Sequence, residues 1–195
     1  MPSQGMGFSD VIQGSPQGYR LILPGGVRVT ATGDPKSPVL ERFFEGYDRA
    51  FILPDEREEL EGFRKCLALN RSHRQAFGRV HSELVAILED EAGTLLGGAN
   101  FLGTSIARPG APPAAVALNY VYVEEAARGR GLLRHALAAV RELAVTALDI
   151  DRRKGDPVLF IEQNDPLRMT AEAYAADTRH SGLDQIGRAS CRERV

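Results

Sequence analysis

The chain has no tryptophan and only two cysteines, Cys66 and Cys191, in 195 residues. Two thiols exclude a disulfide framework, and no CxxC or HxxxH spacing offers a metal cage, so no metal is expected. Long apolar runs are also missing: none approaches the roughly 18 residues of a membrane span. The first residues, MPSQGMGFSD, lack the basic-then-apolar order of a secretion signal, so a cytoplasmic protein with no membrane partner is expected. Charge of one sign is scarce as well. The formal net is -2 with acids and bases interspersed, which denies the chain the positive field of a non-specific nucleic-acid binder.

What is present is a hydrophobic content of 43%, enough to build a single core. Residues 1–18 are rich in Gly, Ser, Gln and Pro and predict a flexible arm, with one domain spanning 19–185. The last ten residues, IGRASCRERV, lack apolar periodicity and back-translate as a common sequencing-adapter read. Residues 186–195 are therefore expected to be a non-native tail, with the domain truncated before it.

Alternation over 27–32 predicts a strand, with 19–23 as a hairpin partner or an extended lead-in. Leu40, Phe43, Phe44, Tyr47 and Phe51 recur at helical spacing, and Pro54 ends that helix and opens another carrying Leu60, Phe63 and Leu67. Residues 71–81 are read as loop. The segments 84–88 and 94–106 flank an acidic turn closed by Gly93 and form the clearest hairpin. Gly97 and Gly98 in its return strand permit a bulge or a close approach by another group. A third long strand covers 116–123, a helix buries Leu133, Leu137, Val140, Ala144 and Leu148, a strand covers 158–161, and a final helix covers 166–177. A meander feeding one βαβ crossover implies an α/β fold with a mixed, mostly antiparallel sheet and helices on both faces.

The stretch VYVEEAARGRGLLR, Val121 to Arg134, sets a buried strand, a turn with two glycines and two arginines, and an amphipathic helix in succession. Such a junction aims unpaired backbone N–H groups and the positive end of a helix dipole at one point, which suits a phosphate or pyrophosphate. No Gly-Lys-Ser/Thr follows and no GxGxxG is present, so neither the P-loop nor the dinucleotide fingerprint applies. The bland alternatives are a polar turn or a single RGG-like element. Cys66 has no His at helical spacing and is read as buried, and His73, His81, His135 and His180 are read as surface or capping residues. The early aromatic stripe is read as core or as a pocket wall.

At this point the chain resembles the GNAT N-acetyltransferase superfamily, whose motif is Arg/Gln-x-x-Gly-x-Gly/Ala after a strand ending in Val. Val123, Arg128, Gly131 and the pair Ala136-Leu137 match it in register, Leu133 stands in the final small-residue position, and the order of elements matches over roughly 27–180. The resemblance implies a GNAT-like fold whose last two strands are missing here, and acetyl transfer from acetyl-CoA to a primary amine on a small-molecule or peptide acceptor. It implies that the main chain of Val121, Tyr122 and Val123 pairs with the pantetheine arm. Gly129, Arg130, Gly131, Leu132, Leu133 and Arg134, with Arg128, would hold the pyrophosphate. It also implies that the strands ending at Val123 and Ile161 diverge around the thioester, with Tyr174 as acid and Glu162 as base. Asn119 and Ala117 offer no acid on the Val123 strand, which leaves a water relay as the alternative to a direct base. The alternative function is a GNAT-like pseudoenzyme that binds CoA without catalysis, and the truncated chain is expected to carry an uncovered strand edge.

Overall fold

The structure, a computed structural model, describes residues 7–9, 18–51, 57–161, 170–172 and 175. Strands β1 (Gly7–Ser9), β2 (Gly18–Ile22) and β3 (Arg28–Thr32) lead into helices α1 (Pro38–Ala50) and α2 (Leu60–Phe77). Strands β4 (His81–Glu89), β5 (Leu95–Ser105) and β6 (Ala114–Val123) follow as a meander. Helix α3 (Leu132–Leu148) then crosses over to β7 (Val158–Ile161). The sheet runs β1 to β7 in chain order, antiparallel throughout except for the parallel β6–β7 pair. This is the mixed, mostly antiparallel α/β sheet with helices on both faces that the periodicity implied.

Two cores result. Strand alternation sends Val29, Leu84, Ala86, Leu88, Phe101, Val116 and Leu118 to the face covered by α3. The opposite set, Val85, Ile87, Leu95 and Tyr122, meets Leu40, Phe43, Tyr47, Phe63 and Leu67 of α1 and α2. Ser37 caps α1, its Oγ accepting from Val39 N at 3.3 Å, with Pro38 at the first helical position where its missing N–H is harmless. The acidic turn holds as expected: Asp90 Oδ1 accepts from Ala92 N at 2.9 Å and Thr94 N at 2.8 Å, and Gly93 takes φ 85°.

Four expectations change. Gly7–Ser9, placed in the flexible arm, pairs with β2 as β1. The segment from 71, read as loop, continues α2 to Phe77 because the buried stripe runs Phe63, Leu67, Asn70, with a polar residue at its end. Asn70 replaces an apolar contact by hydrogen bonds: its Nδ2 donates to Glu83 O at 2.7 Å and Gly33 O at 3.2 Å, and its Oδ1 accepts from Glu83 N at 2.8 Å. Cys66 is exposed, one position off that stripe. On α3 the residues turned inward are Leu132, Ala136, Ala139, Val140, Leu143, Ala144, Ala147 and Leu148, so Leu133 and Leu137 lie at the margin of the buried face. Small residues won there because α3 lies close on the sheet: a Cβ at Gly103 of β5 would stand 3.2 Å from Leu148 Cδ1. The final helix over 166–177 falls largely outside the described residues.

Candidate functional site

The turn between β6 and α3 is built to leave backbone amides open. After Val123, Glu124 N still donates to Leu96 O at 2.9 Å, and a single 3-10 turn, Glu125–Ala127, buries Ala127. Arg128 N closes that turn on Glu125 O at 3.2 Å, while its Nε donates to Val123 O at 3.3 Å, tying the turn to the strand end. Gly129 and Gly131 then adopt φ 77° and 71°, where a side chain is strained. Nothing lies within 4 Å of a Cβ built at either glycine. Gly131 is the N-cap of α3 and contributes no capping side chain. The first helical hydrogen bond is His135 N to Gly131 O at 3.4 Å. Among the described residues the amides of 129–134 therefore meet no acceptor, and Arg130 and Arg134 are exposed beside them. One turn inside the helix, His135 Nδ1 is buried with no hydrogen-bond partner among the described residues.

On the other side of β6 lies β7. The described parallel pairing with β7 runs from Ala115↔Val158 to Leu118↔Ile161. Over 119–123 no described strand pairs with that edge of β6. Just past these pairs β6 carries a β-bulge against β5. Asn100 of β5 faces Tyr120, but Phe101 faces Leu118, which leaves Asn119 as the extra residue. The bulge shifts the alternation by one, so that Val116 and Leu118 before it, and Val121 and Val123 after it, all face α3. Tyr120 and Tyr122 consequently turn toward α1 and α2.

Tyr122 is locked in place. Its hydroxyl donates to Phe43 O at 2.9 Å. Its ring occupies the space above Gly98, where a Cβ would sit 2.8 Å from Tyr122 Cε1 and 2.9 Å from Phe43 Cδ2. The close approach expected at the Gly97-Gly98 pair is thus this ring. Tyr120 joins Tyr47, Phe51 and Phe63 in an aromatic cluster, with ring centroids 4.9, 5.3 and 5.6 Å away. Burial first of all pushes the Tyr47 and Tyr122 phenols above their ordinary range, so both stay protonated at neutral pH.

A polar chain that sequence reasoning passed over crosses three strands beneath α2. Asn119 Nδ2 donates to Asn100 Oδ1 at 3.0 Å, and Asn100 Nδ2 donates to Glu83 Oε1 at 3.1 Å and to Leu84 O at 3.2 Å. Asn100 is 2% exposed, and burial raises the Glu83 carboxyl above the usual carboxylate range, opposed by the Asn100 hydrogen bond. Desolvation, then the Glu83 charge, also raises the nearby Cys66 thiol, which argues against a thiolate nucleophile. The signal was available: Glu83 precedes an apolar strand, and Asn100 interrupts one. His73 and His81, read as separate surface residues, lie with ring centroids 5.7 Å apart, and His81 Nδ1 bonds Thr104 Oγ1 at 3.1 Å.

An open cleft of about 640 Å³ adjoins the turn, lined by Arg42, Arg49, Thr94, Leu95, Glu124, Glu125 and Ala126. Its cations are engaged: Arg49 pairs with Glu124 at 2.6 Å and Arg42 with Glu45 at 2.8 Å. Glu162 and Tyr174 lie outside the described residues. Among the described residues no group of three or more His, Cys, Asp or Glu side chains could hold a metal, and no helix is long and apolar enough to cross a membrane.

No family model matches the chain, and no curated protein matches it. Among solved structures it is similar to glucosamine-6-phosphate N-acetyltransferase from Arabidopsis thaliana, with a TM-score of 0.43 at 11% identity over 71% of this chain and 82% of that one. It is similar to an aminoglycoside acetyltransferase from an uncultured soil metagenomic sample in complex with sisomicin, with a TM-score of 0.42 at 13% identity over 82% of this chain and 89% of that one. A ribosomal-protein-alanine N-acetyltransferase from Brucella melitensis biovar Abortus gives a TM-score of 0.41 at 15% identity over 79% of this chain and 89% of that one. At such identities and TM-scores these likenesses carry no argument about this chain, whose function is read from its own geometry.

Proposed function

We propose that the chain is an acyl-CoA-dependent N-acyltransferase of the GNAT type, transferring an acetyl group from acetyl-CoA to a primary amine. The observation that carries this reading is the run of open amides over 129–134, contiguous with a stretch of β6, 119–123, whose far edge pairs with no described strand. A diphosphate needs several N–H donors converging on one point, and a pantetheine arm, with its two amides, needs an extended backbone edge to pair with. The two features are contiguous here, joined by the Arg128 bond to Val123. The open space at Gly129 and Gly131 fits phosphate oxygens approaching the main chain.

In this reading Val121, Tyr122 and Val123 bind the pantetheine through their main chain. Gly129, Arg130, Gly131, Leu132, Leu133 and Arg134 hold the pyrophosphate, and Arg128 positions the turn. Acetyl-CoA supplies the activated thioester. The amine attacks its carbonyl directly, a backbone N–H steadies the oxyanion, and the thiolate leaves protonated, with Glu162 and Tyr174 as the proposed base and acid. The acceptor is a small molecule or a peptide end. Incubation of the full chain with acetyl-CoA and a panel of primary amines is expected to release CoA thiol in an amine-dependent manner. Tight CoA binding without amine-dependent release would instead assign a non-catalytic CoA-binding protein, and absence of CoA binding would overturn the reading.

A further inference from the structure

The bulge at Asn119 follows the last described β6–β7 pair, Leu118↔Ile161, and a chain of hydrogen bonds fixes which way its side chain faces. Asn100 contacts two groups through one end of its amide, the Glu83 carboxylate and the Leu84 carbonyl. A peptide carbonyl can only accept, so the Asn100 nitrogen must point there and its oxygen toward Asn119. Asn119 must then present its nitrogen to Asn100 Oδ1, and its own Oδ1 is turned outward. Among the described residues nothing donates to that oxygen, and Asn119 is exposed.

The dipoles of the two amides align, each carbonyl pointing away from Glu83. Polarisation therefore accumulates along the chain and makes the terminal oxygen a stronger acceptor than an isolated amide. An anion at the far end and a carbonyl at the near end select a cation with N–H donors. The rings of Tyr120 and Phe51, 5.3 Å apart on the same side of the sheet, offer an apolar wall for an alkyl stem.

We infer that Asn119 Oδ1 is the docking point for the ammonium group of the acceptor amine, with Asn100 and Glu83 as positioning residues behind it. The inference rests on the proposed acyl transfer and assigns a residue to the acceptor side of that site. Asn119 binds the protonated form, which dominates at neutral pH. An amide has no basic site with which to carry the proton to Glu83, so the proton lost before attack does not travel along this chain and goes instead to the proposed base, Glu162.

The test is a nitrogen-edited NMR titration of the full chain, following the side-chain NH₂ resonances of Asn100 and Asn119. Ethylammonium carries a charge and N–H donors, whereas tetramethylammonium carries the same charge and no donor. Ethylammonium is expected to move both resonances and tetramethylammonium to leave them in place. In Asn119→Ala the ethylammonium affinity, followed on Asn100, should fall about tenfold, the effect of losing a hydrogen bond to a charged group. Glu83→Gln keeps the bond geometry but removes the charge, and should show a smaller loss with the Asn100 resonance still dispersed. Equal responses to the two ions, or no response, would overturn the inference and reduce the asparagine pair to a brace for the bulge. Coenzyme A binding, measured on the same sample, separates the two levels: binding of CoA without the ammonium response sinks this inference alone, whereas failure to bind CoA sinks the acyltransfer reading itself.

Discussion

Gly98 shows how a single missing Cβ sets the geometry of the α1 face. The Tyr122 ring fills the space above it, and the Tyr122 hydroxyl reaches Phe43 O only because Gly46 of α1 also lacks a side chain at that contact. Alanine at Gly46 would gain helix propensity of about 1 kcal/mol and still collide with the ring. Gly98→Ala and Gly46→Ala are each expected to lower stability by about 1–3 kcal/mol, the usual range for overpacking, in urea denaturation. Glu83 behaves differently. Its carboxyl is raised in the folded chain by burial, so its contribution to stability is fully present below the unfolded carboxylate value and is lost as pH rises through the folded one. Glu83→Gln is accordingly expected to melt above the parent at neutral pH, with the difference shrinking to nothing under acidic conditions. A constant difference across that range would contradict the assignment of burial as the cause.

Among the elements, β6 is the most informative and was the least completely read. Its apolar pattern changes phase: Val116 and Leu118 are even, Val121 and Val123 odd, and only an inserted residue can keep all four on one face. That phase change stands in the sequence, but alternation over ten residues reads as a strand whether or not it is interrupted. The placement of Asn119 at the interruption needs the partner register. The end of α2 was missed for a related reason, because Asn70 carries its inward position by hydrogen bonds to Glu83 and Gly33 and not by apolarity. On α3 the expected stripe holds at Val140, Ala144 and Leu148 but departs in the first two turns, where Leu132 and Ala136 are buried in place of Leu133 and Leu137, since alanines contribute little to a hydrophobic pattern. By contrast, the turn into α3 is legible as a turn from its two glycines, which take positive φ in the structure. Arg130→Ala together with Arg134→Ala should leave the melting temperature unchanged, both side chains being exposed. The double variant should weaken CoA binding and flatten its salt dependence, as calorimetry at two ionic strengths would show.

At the scale of the molecule, the sheet is a single surface with two unequal layers of helices. Helix α3 lies over one face and delivers its N-terminus to the end of β6, while α1 and α2 cover the other and carry the aromatic cluster toward the bulge. The donor side and the proposed acceptor side thus meet on β6, which belongs to both cores. Order and type of elements followed from periodicity because each layer shows one apolar face to the sheet. The register at which β7 meets β6 did not, since strand pairing is a non-local fact.

The central claim, that the amides of 129–134 grip a diphosphate, is tested most directly by backbone amide NMR of the full chain during titration with coenzyme A. The account predicts the largest shifts at Gly129, Gly131, Leu132, Leu133 and Arg134, with a second group along 121–123 that 3′,5′-ADP, which has no pantetheine, fails to produce. Shifts confined elsewhere, or no saturable shifts at all, would contradict it.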